Sequence, residues 1–328
     1  MAGGGQGGPA GKTGPDDKVP AGNTAGSTVT AAPAGGMAIA AEVSLAVAAK
    51  ASGENFPVAL RVLPRERRKH LTALYGFARL TDDIGDEPLP GLDPAASPET
   101  QRATRLRLLD ELRADVARIY SGEQPQLPAI RALGETAAAC GIPCQPFDDL
   151  IQANRQDQLI TRYETYAELL KYCELSANPV GRAVLYIFGA ASEERLRLSD
   201  NICTALQLAE HWQDVAEDLA NGRIYLPGED LAKFGCTEAD LAQPNAGPAV
   251  VKLMAFETER AARLLDDGAP LVGTLRGAAR LAISGYVAGG RAALKAIARS
   301  GYDVLRQTPK PGKADTLAGL VSCYLRGR

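Results

Sequence analysis

The sequence predicts a single all-α domain of roughly 8–12 helices, and three observations carry that prediction. From about residue 37 onward Ala, Leu, Arg and Glu dominate, with apolar residues recurring at spacings of three and four. No sustained alternation of apolar and polar residues marks a strand, and the loops are too irregular for a repeat array. With 328 residues, 45% apolar and 23% charged, the chain is able to bury a real core.

Each element follows from its punctuation. Residues 1–36 hold 11 of the 34 glycines and no Leu, Ile or aromatic residue. Such a segment cannot bury enough surface to offset its ordering entropy and is expected to be a disordered tail. Its AGKT at 10–13 only mimics the end of a phosphate-binding loop, because Gln6 stands where that loop requires Gly and no strand precedes it. The domain proper is expected over 37–310, with a C-terminal extension at 311–328. Within it, helix breaks are expected near Pro57, Pro64, the loop 88–98, 121–128, 141–146, Pro179, 222–228 and 243–248. Proline removes a helical amide and clashes with the preceding turn, and Gly/Asp clusters favour turns.

Several classes are excluded. A formal net charge of −3 offers no global electrostatic case for nucleic acid. Residues 19–41 are uncharged but contain Pro20, Pro33 and four glycines, which no membrane-spanning helix accommodates. The apolar patch 37–49 is broken by Glu42 and lacks a preceding basic stretch, so it is not a secretory signal. The six cysteines form no CxxC pair, and His70 and His211 stand 141 positions apart, which argues against zinc. Reduced thiols in a cytoplasmic protein are the expectation.

Two helical stretches carry matching acidic faces. In HLTALYGFARLTDDIGDE, residues 70–87, Ala73, Leu74, Phe77, Leu80 and Ile84 share one side. Tyr75, Arg79, Asp82 and Asp86 share the other, with Asp83 beside them. In QLAEHWQDVAEDLANGRIYLP, residues 207–227, the apolar arc is Leu208, Trp212, Val215, Ala216 and Leu219. Gln207, Glu210, Asp214, Glu217, Asp218 and Asn221 crowd the opposite arc, with His211 at its edge. Like charges at i,i+4 cost about 0.2–0.5 kcal/mol in an isolated helix. One such stripe is usually a wet surface; two, both reading D-x-x-x-D in otherwise apolar helices, predict a facing cluster that needs cations. Carboxylates without histidine partners suit Mg²⁺, and the absence of Glu-x-x-His pairs argues against a di-iron bundle.

These stretches, together with YCELSANPVGR at 172–182 between them, resemble the squalene/phytoene synthase family of head-to-head prenyl synthases over about residues 50–310. ENFPVALRVLP at 54–64, with DDIGDE, looks most like the family's hydroxysqualene synthase branch of hopanoid-type squalene biosynthesis. The resemblance implies a class I terpenoid-synthase-like helical bundle with a central apolar cavity. It implies Mg²⁺ held by Asp82, Asp86, Asp214 and Asp218, and Arg79 and Tyr225 near a diphosphate. Tyr75, Tyr172 and Gln207 match cavity-lining positions, Arg223 is in register, and Phe56 corresponds to an aromatic at the entrance. Arg79, Tyr75, Glu210 and Tyr225 are the implied catalytic set. Arg79 also has a plainer reading as the i,i+4 partner of Asp83.

The implied reaction is ionisation of presqualene diphosphate, rearrangement and capture by water, giving hydroxysqualene and diphosphate without a reductant. No dinucleotide glycine motif is present, which agrees. Where the family commonly has Asn, this chain has Glu210, a further ligand or a group that orients water. Condensation of two farnesyl diphosphates, phytoene synthesis and an inactive helical scaffold stay open. The basic run Arg61, Arg65, Arg67, Arg68 and Lys69 reads as a solvated helix start, with a weak peripheral membrane contact as the alternative. The implied partners are a prenyl diphosphate, no nucleic acid, and other enzymes of a squalene pathway.

Overall fold

The structure, a computed structural model, describes residues 39–43 and 63–328. The predicted tail at 1–36, Phe56 and the break at Pro57 lie outside them. Helices α1 (Arg65–Asp86), α2 (Pro98–Ser121), α3 (Pro128–Cys140) and α4 (Gln145–Asp157) come first. They are followed by α5 (Tyr166–Ser176), α6 (Asn178–Ile187), α7 (Glu193–Gln213), α8 (Val215–Ala220) and α9 (Gly228–Phe234). The last are α10 (Glu238–Leu241), α11 (Pro248–Gly268), α12 (Leu271–Thr274), α13 (Gly277–Arg299) and α14 (Lys313–Arg326). Among the described residues there is no β-sheet, only a lone parallel bridge between Arg162 and Ile224. The helices outnumber the expected 8–12 because α8, α9, α10 and α12 are short pieces of four to seven residues.

Local signals explain the boundaries. Ser97 accepts from the Thr100 amide and Pro98 occupies the first position of α2. Thr165 and Glu168 form a capping box on α5. Ser192 caps α7 after a turn at 188–192 that the sequence reading did not place, where Gly189 has a φ of 64°.

The long helix α7 is the centre of the fold, packed against α5, α6, α11 and α13. Its approach to α11 is close: a Cβ on Gly268 would lie 2.7 Å from the Leu198 carbonyl oxygen, so only glycine fits. Phe77, Leu80, Ile84, Phe147, Trp212 and Leu208 are fully buried. Asp83, read as part of the acidic face, is instead buried in this core with Arg79 Nε 2.8 Å from its carboxylate.

The predicted extension folds as α14 against α13, and all six cysteines are free thiols. Within the basic run, Arg67 donates to the Ile187 carbonyl and Lys69 pairs with Glu135 at 2.9 Å. No helix among the described residues is long and apolar enough to cross a membrane.

Candidate active site

Two arms carry the acids. The first is the C-terminal half of α1, where i,i+4 spacing stacks Asp82 and Asp86 on one face. Negative charge at a helix C-terminus opposes the helix dipole. Arg105 of α2 compensates by donating to the carbonyls of Ile84 (2.7 Å) and Glu87 (3.0 Å).

The second arm was expected to be one continuous helix. The structure kinks it at Asp214, between α7 and α8, where φ is −106° and ψ 18°. The hydrogen-bond ladder still spans the kink, from the Asp214 amide to Glu210 (3.0 Å) and from the Asp218 amide to Asp214 (2.8 Å). The bend exposes Ala216, which a straight helix would have placed on the apolar arc.

Both arms open into one cavity of about 340 Å³. Asp82, Asp86 and Arg79 enter from α1, Tyr172 from α5, and Gln207 and Glu210 from α7. Asp214, Asp218, Arg223 and Tyr225 enter from the kink onward. Tyr75, half-buried on α1, is not among the lining residues, and Phe56 lies outside the described residues. A larger open groove of about 840 Å³ along α11 and α13 holds none of the acidic motifs.

The arms are tied together. Arg223 donates to Asp86 Oδ1 at 2.8 Å. Burial works against its charge, but Asp86 beside it holds the guanidinium's pKa above its usual value. The Arg223 loop is pinned by the Ile224 amide donating to the Thr161 carbonyl at 2.9 Å.

Sequence reasoning missed the α4 side of the cavity, above all Asn154 and Asp157. Asn154 of α4 donates to Asp82 at 3.2 Å, crossing Gly85 so closely that a Cβ there would lie 2.4 Å from its side-chain oxygen. Asp157 accepts from the Tyr172 hydroxyl at 2.9 Å. Their only local signal was an i,i+3 polar pair, with no D-x-x-x-D spacing to match the two arms.

One wall of the cavity is aromatic. His211 stacks on Tyr225 with ring centres 3.7 Å apart, and Tyr172 and Tyr163 pack against Tyr225 at 5.7 and 5.8 Å. His211, expected at the edge of the acidic arc, is buried, and burial followed by Arg223 drops its pKa to about 3. Its Nε2 lies 3.3 Å from the Gln207 amide nitrogen; with that amide donating, the ring proton sits on Nδ1, 3.9 Å from Asp218. Tyr172 and Tyr225 are held neutral, chiefly by burial.

The acids are crowded beyond what the cavity's bases neutralise. Six carboxylates line it (Asp82, Asp86, Asp157, Glu210, Asp214 and Asp218) against Arg79 and Arg223. Ringed by protein and then by one another, Asp82 is pushed up to about 6 and Asp218 to about 7. Asp157 rises to about 7 through burial, despite Arg223. Glu210 is raised by burial and then by Asp214 and Asp82, and Asp214 by burial and then by Glu217. This donor set fits magnesium. It is all oxygen and short of counter-charge, though among the described residues no three His, Cys, Asp or Glu side chains stand close enough to form a ligand cluster as placed. Mg²⁺ typically takes one or two carboxylates and completes its shell with water and phosphate oxygens.

The fold and site define an all-α protein of the class I terpenoid-synthase-like kind. The squalene/phytoene synthase family model matches residues 49–315, and the chain belongs to that family of prenyl-diphosphate-processing enzymes. It is 35% identical over 226 residues to a hydroxysqualene synthase of Rhodopseudomonas palustris, covering 68% of this chain and 72% of that protein. A presqualene diphosphate synthase of the same organism is 33% identical over 212 residues, covering 64% and 71%. The crystal structure of squalene synthase HpnC from Alicyclobacillus acidocaldarius superposes with a TM-score of 0.69 at 42% identity, covering 80% and 94%. A dehydrosqualene synthase structure gives 0.73 at 22% identity, a likeness of fold.

Proposed function

We propose that the protein ionises presqualene diphosphate and captures the rearranged cation with one water, releasing hydroxysqualene and diphosphate, with Mg²⁺ as cofactor. The observation that carries this reading is the single cavity into which two D-x-x-x-D arms project with more acid than the protein neutralises. Similarity to hydroxysqualene synthases supports the choice of substrate.

Bound Mg²⁺ would supply charge neutralisation to the departing diphosphate. Asp82, Asp86, Asp214 and Asp218 would hold it, acting as ligands rather than bases, with Glu210 beside them. Arg79 and Arg223 are the guanidiniums lining the cavity and supply fixed positive charge to the leaving oxygens. Tyr172, Tyr225 and neutral His211 present aromatic surface and no anion to the cation, which limits premature quenching.

In the capture step, a C–O bond forms from water to the cation and an O–H bond of that water breaks. Glu210, which lines the cavity from α7, takes the proton. Glu210→Gln should therefore lower hydroxysqualene formation more than diphosphate release, with eliminated hydrocarbons making up the difference. A parallel fall in both, rescued by more Mg²⁺, would leave Glu210 as a ligand alone.

The second reading is condensation of two farnesyl diphosphates, favoured by the similarity to a presqualene diphosphate synthase. Offering purified protein and Mg²⁺ each substrate separately decides between them. Turnover of farnesyl diphosphate but not presqualene diphosphate would overturn the first reading.

A further inference from the structure

The last helix is apolar on two opposite faces. Toward the domain, α14 packs on α13 through Leu320, Gly319 and the buried Cys323. A Cβ on Gly319 would lie 3.2 Å from the Ala288 Cβ, so the two helices nearly touch. Away from the domain, Leu317, Val321, Tyr324 and Leu325 fall within an arc of about 100°. All four are exposed, Leu317 by 62% and Leu325 by 73%. A contiguous exposed apolar patch marks an interaction site.

The surroundings of this face are basic. Between residues 306 and 328 stand five Arg or Lys residues and one acid, Asp315, in a chain whose net charge is −3. That acid is already held by Lys295 at 2.9 Å and by Arg299. Arg280 adds a further cation, 5.1 Å from the centre of the Tyr324 ring.

We propose that the outer face of α14 docks on an anionic lipid bilayer. Leu317, Val321 and Leu325 enter the acyl boundary and Tyr324 sits at headgroup level. Lys313, one turn before Leu317, and Arg280, beside the Tyr324 ring, lie against lipid phosphates. A second copy of this chain is the competing occupant. Antiparallel pairing of two α14 helices would bring Lys313 of each toward Arg280 at the Tyr324 end of the other, with Asp315 committed elsewhere. That repulsion favours the bilayer.

The placement links the face to the cavity. The segment leading into α14 runs beside the second acidic arm, where Gln213 donates to the Pro309 carbonyl and Thr308 hydrogen-bonds Asp214. Four residues from Pro309 to Lys313 span at most about 14 Å. Docking therefore holds the acidic mouth close to the bilayer. The benefit of that proximity for a water-insoluble substrate rests on the proposed function; the docking itself does not.

The test uses the full chain and no substrate. It measures flotation with phosphatidylcholine vesicles, with and without phosphatidylglycerol. The protein should float with the anionic vesicles only. The double variant Leu317→Asp/Leu325→Asp should lose at least about tenfold in affinity, with diphosphate release in detergent unchanged. Lys313→Gln/Arg280→Gln, which leaves the apolar side chains intact, should weaken binding and flatten its salt dependence. Unchanged flotation of both variants, or no flotation of the parent protein, overturns the proposal. A parent dimer in light scattering that Leu317→Asp/Leu325→Asp converts to monomer, with no flotation, assigns the face to a second copy instead.

Discussion

Two regions of the molecule gather buried acids, and they resolve the problem in opposite ways. At the α9–α11 contact, Asp230 and Glu257 are both buried, Glu257 completely. Arg260 sits 3.0 Å from Asp230 and 3.5 Å from Glu257, with Lys233 3.9 Å from Asp230. Its guanidinium is stacked over Tyr166 at 3.9 Å. Burial pushes Glu257 up to about 8, so it is neutral at pH 7 and leaves Asp230 balanced by Arg260. The cluster is closed. The cavity at the D-x-x-x-D arms sets six carboxylates against two guanidiniums, and Arg79 is shared with Asp83. What separates a structural acid cluster from a ligand site is therefore whether the fold supplies its own counter-charge.

Mutation should expose that difference most sharply. Asp82→Asn or Asp214→Asn should lower turnover by about a hundredfold or more, with helical circular dichroism and melting temperature retained. Arg260→Leu should do the reverse, destabilising by about 3 kcal/mol because Asp230 is left buried without its main partner, while turnover per folded molecule persists. A collapse of the fold in Asp82→Asn would erase the distinction.

The next effect is the response to magnesium and pH. In the metal-free protein Asp82 titrates near 6 and Asp218 near 7, against 3.8 for an ordinary aspartate. Folding favours their protonated forms. The stability they contribute is therefore complete below about pH 3.8 and is lost as pH rises through 6 to 7. Metal binds the ionised forms, so the rise in melting temperature on adding Mg²⁺ should be larger at pH 7.5 than at pH 5.5. Equal rises at both, in a thermal melt, would place the ion elsewhere. Gly85→Ala is a finer probe, because its methyl must displace Asn154 from Asp82. It should cost about tenfold in turnover with little loss of helix content.

The smallest effect belongs to the closed cluster. Glu257→Gln should barely move the melting temperature at pH 7, since the carboxyl is already protonated. The parent's stability from this group is present below about pH 4.5 and lost as pH rises through 8. The variant should lack that alkaline loss in melts across pH 7 to 9.

The contrast also shows what could be read from residues in line. The facing of Asp82 with Asp86, and the grouping of Gln207, Glu210, Asp214 and Asp218 on one arc, follow from helical periodicity alone. The all-α fold was legible for the same reason. The burial of Asp83 was not, because it depends on Arg79 turning back along α1 to cover it. Nor was the stacking of His211 on Tyr225, which requires the loop after α8 to fold back over α7. Asn154 and Asp157 enter the cavity through the packing of α4 against α1 and α5, contacts between segments distant in sequence. The kink at Asp214 escaped because no Pro or Gly announces it.

The Arg223–Asp86 pair sets an order in time. Its members are 137 positions apart in the chain. Closing a loop of that length costs roughly 3 kcal/mol more than a four-residue contact within one helix. Helical turns form on their own, whereas this bridge forms only after α1 and α7 have both packed on α6 and absorbed the entropy. The two acidic arms therefore approach before their shared cation arrives, and the mouth of the cavity is among the last parts of the molecule to assemble.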